Sequence, residues 1–230
     1  MKIEQLFDPA TSTYSYLLWD KKTKQAALID SVKEQVSRDI KFIKQLGLDL
    51  KYTMETHIHA DHVTGSGQLR DEFDSQAAVH KNSQSECADI LLTESDTLTL
   101  GNETITVLHT PGHTDTDISF HIDGAVFTGD ALLINGCGRT DFQSGDSKTL
   151  YHSITEILFN LNDETIVYPG HDYNGFTAST IGHEKIFNHR LGNNRSEAQF
   201  ITIMDSLILD PPARIDIAVP GNLQCGLDSE

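Results

Sequence analysis

Residues 56–62 read Thr-His-Ile-His-Ala-Asp-His, three imidazoles and one carboxylate in a single short stretch. One histidine in a polar loop is ordinary surface. The spacing His57-x-His59-x-Asp61-His62 is different, because it crowds four metal-competent groups where a loop can turn several towards one point. Imidazole nitrogen and carboxylate oxygen together suit zinc, iron or manganese. A metal so held either activates water or keeps open positions for substrate.

Three further pieces follow in order. His113 lies in Thr-Pro-Gly-His-Thr (110–114), Asp130 ends Phe-Thr-Gly-Asp (127–130), and His171 lies in Tyr-Pro-Gly-His-Asp-Tyr (168–173). Each has Gly or Pro beside it and follows a stretch of strand character. One edge of a β-sandwich can therefore gather all of them.

The elements that must position these residues read as follows. Segments 3–7, 14–19 and 26–29 are short, β-prone and parted by polar turns, which predicts an antiparallel meander. Val36, Ile40, Ile43 and Leu46 fall at helical spacing before Gly47, which predicts a helix with a glycine stop. Segment 52–55 is a strand, 67–73 a helix and 77–80 a strand. Two hairpins turn at Gly101-Asn102 and Asp123-Gly124. Helices are expected over 150–159, 178–189 and 197–209, the last with Phe200, Met204, Leu207 and Ile208 on one apolar face. A strand is expected at 166–168, and 210–230 is expected as coil. This order fits two sheets between helices, one domain over 1–230, better than a single doubly wound sheet.

The series HxHxDH, GHT, TGD and a late GH resembles the ligand series of the metallo-β-lactamase superfamily. The resemblance implies an α/β fold, an αββα sandwich of two mixed sheets with a metal at the sheet edge. Residues 127–145, FTGDALLINGCGRTDFQSG, narrow it. GCGR after the aspartate occurs in glyoxalase II and in the persulfide dioxygenases, and the continuation TDFQ-x-G is similar to the latter. TLYHS (149–153), YPGHDYNGFT (168–177) and AVPGNLQCG (218–226) extend the likeness to nearly the whole chain. The stretch after His171 is short for the helical C-terminal domain of glyoxalase II.

By this resemblance His57, His113 and Asp130 hold one Fe(II) per chain, as the catalytic metal ligands. That is the two-His, one-carboxylate face which leaves positions open for substrate and O2. His59, Asp61, His62 and His171 are expected around it as orienters or proton carriers. They would complete a dinuclear site in a zinc hydrolase, and ligand count alone does not separate the two. Cys137, Arg139 and Tyr173 are the candidate substrate contacts. Each has a second reading: a packed thiol for Cys137, a salt bridge to Asp141 for Arg139, plain packing for Tyr173. The implied reaction is oxidation of glutathione persulfide by O2 to sulfite and glutathione. The alternative is a glyoxalase II-type hydrolase of glutathione thioesters, and a non-catalytic sensing module is a third.

Composition excludes other classes. The formal charge of −17 comes without any Lys/Arg run, so no nucleic-acid partner is expected. Nor is a membrane partner, since no apolar stretch reaches spanning length. The expected partners are small molecules, and a second copy in a homodimer. Cys87, Cys137 and Cys225 are odd in number and widely spaced, which suggests neither a zinc knuckle nor a disulfide framework. A cytoplasmic, reducing setting is the simplest expectation.

Overall fold

A computed structural model describes residues 1–227. Its first sheet has six strands in the order β1–β6: Lys2–Asp8, Thr13–Trp19, Gln25–Ile29, Asp49–Met54, Gln76–His80 and Ile90–Leu92. The first three pair antiparallel and the last three continue parallel, so the sheet is mixed. The second sheet runs β12-β11-β10-β9-β8-β7. Its strands are β7 (Thr97–Leu100), β8 (Glu103–His109), β9 (Ile118–Ile122), β10 (Ala125–Gly129), β11 (Ile166–Pro169) and β12 (Ser179–Thr180). Here β10 and β11 are the parallel pair.

Alternation along the strands builds the layers, because successive side chains leave opposite faces. In β2 and β3, Tyr16, Leu18, Ala27 and Ile29 face the second sheet, where Ile105, Val107, Phe120 and Phe127 meet them. Their neighbours Leu17, Ala26 and Leu28 face outward onto Val36, Ile43 and Leu69 of α1 (Val36–Leu46) and α2 (Ser66–Phe73). On the other side Val126 and Val167 pack on Leu150, Phe200 and Met204 of α3 (Ser147–His152) and α5 (Glu197–Asp205). The result is the αββα sandwich. Gly47 closes α1 at φ 62°, a left-handed position that disfavours side chains with a Cβ.

The two hairpins, the meander and the first two helices lie where the sequence places them. Five regions differ, the first being β6 (Ile90–Leu92), a short edge strand where the sequence predicts no element. Residues 178–189 do not form one helix: Ser179–Thr180 pair with β11 as an edge strand, and α4 spans only Ile181–Phe187. Thr180 accepts from the His183 amide, and this N-cap fixes the boundary. The helix expected at 150–159 starts earlier, at Ser147, capped by Asp146, and then loosens into a π turn over Ser153–Ile157. Helix α5 ends at Asp205, leaving Ile208 98% exposed instead of on a buried face.

The tail expected as coil carries a helix, α6 (Ile215–Leu223). Pro220 inside it and the lack of amphipathic period masked it. Its packing also brings Cys225 to Cys87, and the two form a disulfide with Cα atoms 6.0 Å apart. The absence of a disulfide inferred from spacing is thereby corrected: 138 residues of separation say nothing about distance in space. Among the described residues no helix is long and apolar enough to cross a membrane.

Candidate metal centre

The parallel strand ends β3, β4, β10 and β11, with the loop after β8, converge on one edge. Thr13 bridges His171 there, and the Tyr14 amide donates to the Gly170 carbonyl at 2.8 Å, so the two sheets are stitched beside the site. Gly129 has φ 49°, and a Cβ on it would lie 2.4 Å from Thr56 Oγ1. Glycine at this position lets the Asp130 turn close against the histidine loop.

His57, His113 and Asp130 bring one ligand atom each within 4.8 Å of one another. The rings are aimed from behind. His113 Nδ1 donates to the Arg139 carbonyl at 2.7 Å, and its Nε2 faces Asp130 Oδ2 at 3.7 Å. His57 Nδ1 lies 3.0 Å from Thr56 Oγ1, and that hydroxyl donates to Asp30 Oδ2 at 2.9 Å. Both imidazoles thus have Nδ1 engaged and Nε2 left for a metal, the usual way an outer hydrogen bond fixes a ligand tautomer. Burial, then the neighbouring His59 and His113, hold the His57 pKa well below its usual value. The ring is neutral and its lone pair free.

The other sequence candidates collect beside them. His59, Asp61 and His62 form a second group within 4.8 Å. His59 Nε2 reaches Asp30 Oδ1 at 3.2 Å and Glu55 Oε2 at 3.4 Å, and its buried Nδ1 has no partner. Burial alone would lower the His59 pKa, but Asp30 and Glu55 outweigh it and hold it well above normal. His62 Nδ1 lies 2.9 Å from Asp61 Oδ2, with Nε2 buried and unpartnered. His171 Nδ1 donates to the Ser12 carbonyl, and its Nε2 sits 3.6 Å from Asp61 and 3.7 Å from Asp130 Oδ1. Asp130 Oδ1 is also buried without a hydrogen-bond partner. Buried polar atoms are normally satisfied, so a cluster of orphaned nitrogen and oxygen lone pairs fits a cation. Asp130 stands between the two groups.

A cavity of about 490 Å³ opens onto His57, His113, Asp130 and His171, with Cys137, Arg139 and Tyr173 in its lining. The Arg139 guanidinium grips Asp141 with two bonds of 2.6 and 2.7 Å, and Nη1 donates to the Asp210 carbonyl at 2.7 Å. Cys137 is buried, which pushes its thiol up to about 11. Tyr173 is 72% exposed and stacks parallel on His171, with ring centroids 6.1 Å apart.

Several residues of the site were not legible in the sequence. Asp30 directly follows β3 in a left-handed conformation (φ 51°) and supports both His57, through Thr56, and His59. Its only signal was an acidic residue after an apolar strand. Asp117 lies 3.8 Å from His57 Nδ1, and burial raises its carboxyl to about 7. Arg190, Leu209, Asp210 and Pro212 line the cavity from far along the chain. Arg190 Nη1 donates to the Cys137 carbonyl at 2.6 Å.

The chain matches the family described as the metallo-beta-lactamase superfamily over residues 8–171. It is 44% identical to the mouse protein named mitochondrial persulfide dioxygenase ETHE1, across 99% of this chain and 89% of that one. The crystal structure of ETHE1 from Myxococcus xanthus superposes with a TM-score of 0.96 at 48% identity, covering 99% of this chain and all of that one. A fission-yeast protein named probable hydroxyacylglutathione hydrolase is 37% identical over 70% of this chain and 64% of its own length.

Proposed function

The chain belongs to the metallo-beta-lactamase superfamily and, within it, to the persulfide dioxygenases, and from that membership we propose that it is an Fe(II) enzyme oxidising glutathione persulfide. The balanced reaction is glutathione persulfide + O2 + H2O → glutathione + sulfite + two protons. The observation that carries the reading is full-length likeness to persulfide dioxygenases joined to a two-His, one-Asp face that opens into a cavity.

His57, His113 and Asp130 would hold the iron, which when bound would supply the electron transfer between sulfur and oxygen. The chain does the rest. The Arg139 carbonyl and Thr56 hold the two imidazoles in one tautomer and one orientation. His171, with Asp130 and Asp61 outweighing its burial to raise its pKa, can hold a proton at Nε2 beside the reacting groups. The cavity walls Leu133, Leu209 and Pro212 limit bulk water around a reactive persulfide. Arg190 at that cavity offsets the repulsion between a chain of charge −17 and the carboxylates of glutathione, while Arg139 is paired with Asp141.

One observation favours a second reading, a glyoxalase II-type hydrolase: His59, Asp61 and His62 keep a complete second metal-competent group. Elemental analysis of anaerobically purified protein, with O2 uptake on glutathione persulfide, tests both. One iron per chain and persulfide-dependent uptake are expected. Two zinc ions per chain with thioester hydrolysis would replace the dioxygenase reading. The proposed compartment is the cytoplasm, where a disulfide is a reversible bond and not a permanent staple.

A further inference from the structure

Helix α6 reaches the metal loop through one side chain. Asn222 is buried, and its Nδ2 donates to the carbonyls of His59 at 2.9 Å and His62 at 3.0 Å. Its Oδ1 accepts from the Thr64 amide at 2.7 Å. One amide therefore ties three points of the loop that carries His57, His59, Asp61 and His62. Just beyond, the Gly67 amide donates to the Cys225 carbonyl at 2.8 Å, and Gly226 packs so closely that a Cβ would lie 1.9 Å from the Thr64 carbonyl.

The other side of α6 is fastened to residues 85–87. The Glu86 amide donates to the Leu223 carbonyl at 3.0 Å, Gln224 Nε2 donates to Glu86 Oε2 at 2.7 Å, and Cys87 is bonded to Cys225. Cys225 is 3% exposed, whereas Cys87 is only partly buried, so an external thiol reaches the Cys87 sulfur first. Neither cysteine lines the cavity over the metal ligands.

We propose that Asn222 is a positioning residue for the metal centre, and that the Cys87–Cys225 disulfide sets how firmly it holds the loop. A dithiol reduces the bond in two exchanges: its first thiolate attacks Cys87 Sγ and displaces the Cys225 thiolate, which takes up a proton. Its second thiolate then closes the reductant's own disulfide and releases Cys87, which is protonated in turn. Two electrons and two protons pass from the dithiol to the cysteine pair. With the covalent link to Cys87 gone, the C-terminal turn of α6 is held to residues 85–87 by the Glu86 and Gln224 hydrogen bonds alone, and the Asn222 contacts loosen with it. The proposal needs only a metal in the loop, not persulfide chemistry, so it stands or falls apart from the dioxygenase reading.

The test compares holoprotein before and after treatment with a dithiol and anaerobic desalting. The rate of metal loss to a chelator is followed, together with hydrogen exchange of amides 58–64. Reduction is expected to speed metal loss about 10-fold, the lower end of what outer-shell partners of metal ligands contribute, and to speed exchange in that loop. Cys87→Ala, untreated, should match the reduced wild type. In Asn222→Ala metal loss is expected to be fast in both redox states, since the link between bond and loop is gone. Equal rates for oxidised and reduced wild type would overturn the proposal, as would an Asn222→Ala protein that keeps the redox difference. The wild-type and Cys87→Ala arms decide the matter even if Asn222→Ala fails to fold.

Discussion

The backbone carbonyl of Arg139 accepts from His113 Nδ1 at 2.7 Å, while the side chain of the same residue is locked onto Asp141 and the Asp210 carbonyl. The proposed metal ligand His113 is therefore aimed by a loop whose own shape depends on a guanidinium fork. Gly138 completes the arrangement, because a Cβ there would lie 2.8 Å from His113 Nδ1.

Arg139→Lys separates the two parts this residue could play. Lysine keeps the charge but cannot form the bidentate fork. With the guanidinium committed to Asp141 and Asp210, the expected outcome is a melting temperature lower by about 2–4 °C, corresponding to roughly 1 kcal/mol in a chain of this size. Faster metal loss should accompany it, with KM for glutathione persulfide little changed. An undisturbed melting temperature with a raised KM would instead assign Arg139 to the substrate.

His113→Ala and His171→Ala should differ in metal content. The first removes one of three ligands in the proposed mononuclear site, and iron and activity are expected to vanish together. The second removes an outer partner of Asp130, so most of the iron should stay while activity falls about 10–100-fold. Equal metal loss in both variants, measured by elemental analysis, would mean that the site is dinuclear.

Arg190 is the cavity cation with spare hydrogen-bonding capacity, since among the described residues only its Nη1 side-chain nitrogen donates, to the Cys137 carbonyl and more weakly to two sulfur atoms. Arg190→Met is expected to raise KM for glutathione persulfide about 10-fold or more, the loss of one charge-assisted hydrogen bond. KM for a small uncharged persulfide should change much less. A parallel rise for both substrates would show that Arg190 only supports the Cys137 loop.

Cys137 is expected to resist alkylation. Burial holds its thiol up to about 11, so the reactive thiolate is scarce at pH 8 and its fraction grows only as the pH approaches that value. In native, oxidised protein, iodoacetamide at pH 8 should leave Cys137 unmodified by mass spectrometry, and unfolding should expose it. Rapid labelling of the native protein would mark Cys137 as an accessible, activated thiol.

Much of the fold follows from local chemistry. Near-continuous apolar residues in 14–19 and 26–29 specify strands buried on both faces, and Gly47, Asn102 and Gly124 specify where the chain must turn. The candidate metal residues stood out for a related reason: a ligand set confined to a few spacings leaves a dense signature in 57–62, and His113, Asp130 and His171 each follow a strand. Helix α6 was not legible, because a helix apolar along its length with Pro220 inside shows no period. Nor was the early end of α5, since nothing local tells Ile208 that it faces water.

The sequence by itself determined the types and order of the candidate ligands, and the sandwich that collects them at one edge. Only the tertiary structure decided what stands behind those ligands. Asp30 under Thr56, the Arg139 carbonyl under His113, Asn222 under the metal loop and Cys87 beside Cys225 join residues from distant parts of the chain. Such partners carry no sequence signature, because a hydrogen bond or a disulfide needs only proximity and direction, and those are set by how sheets and helices pack.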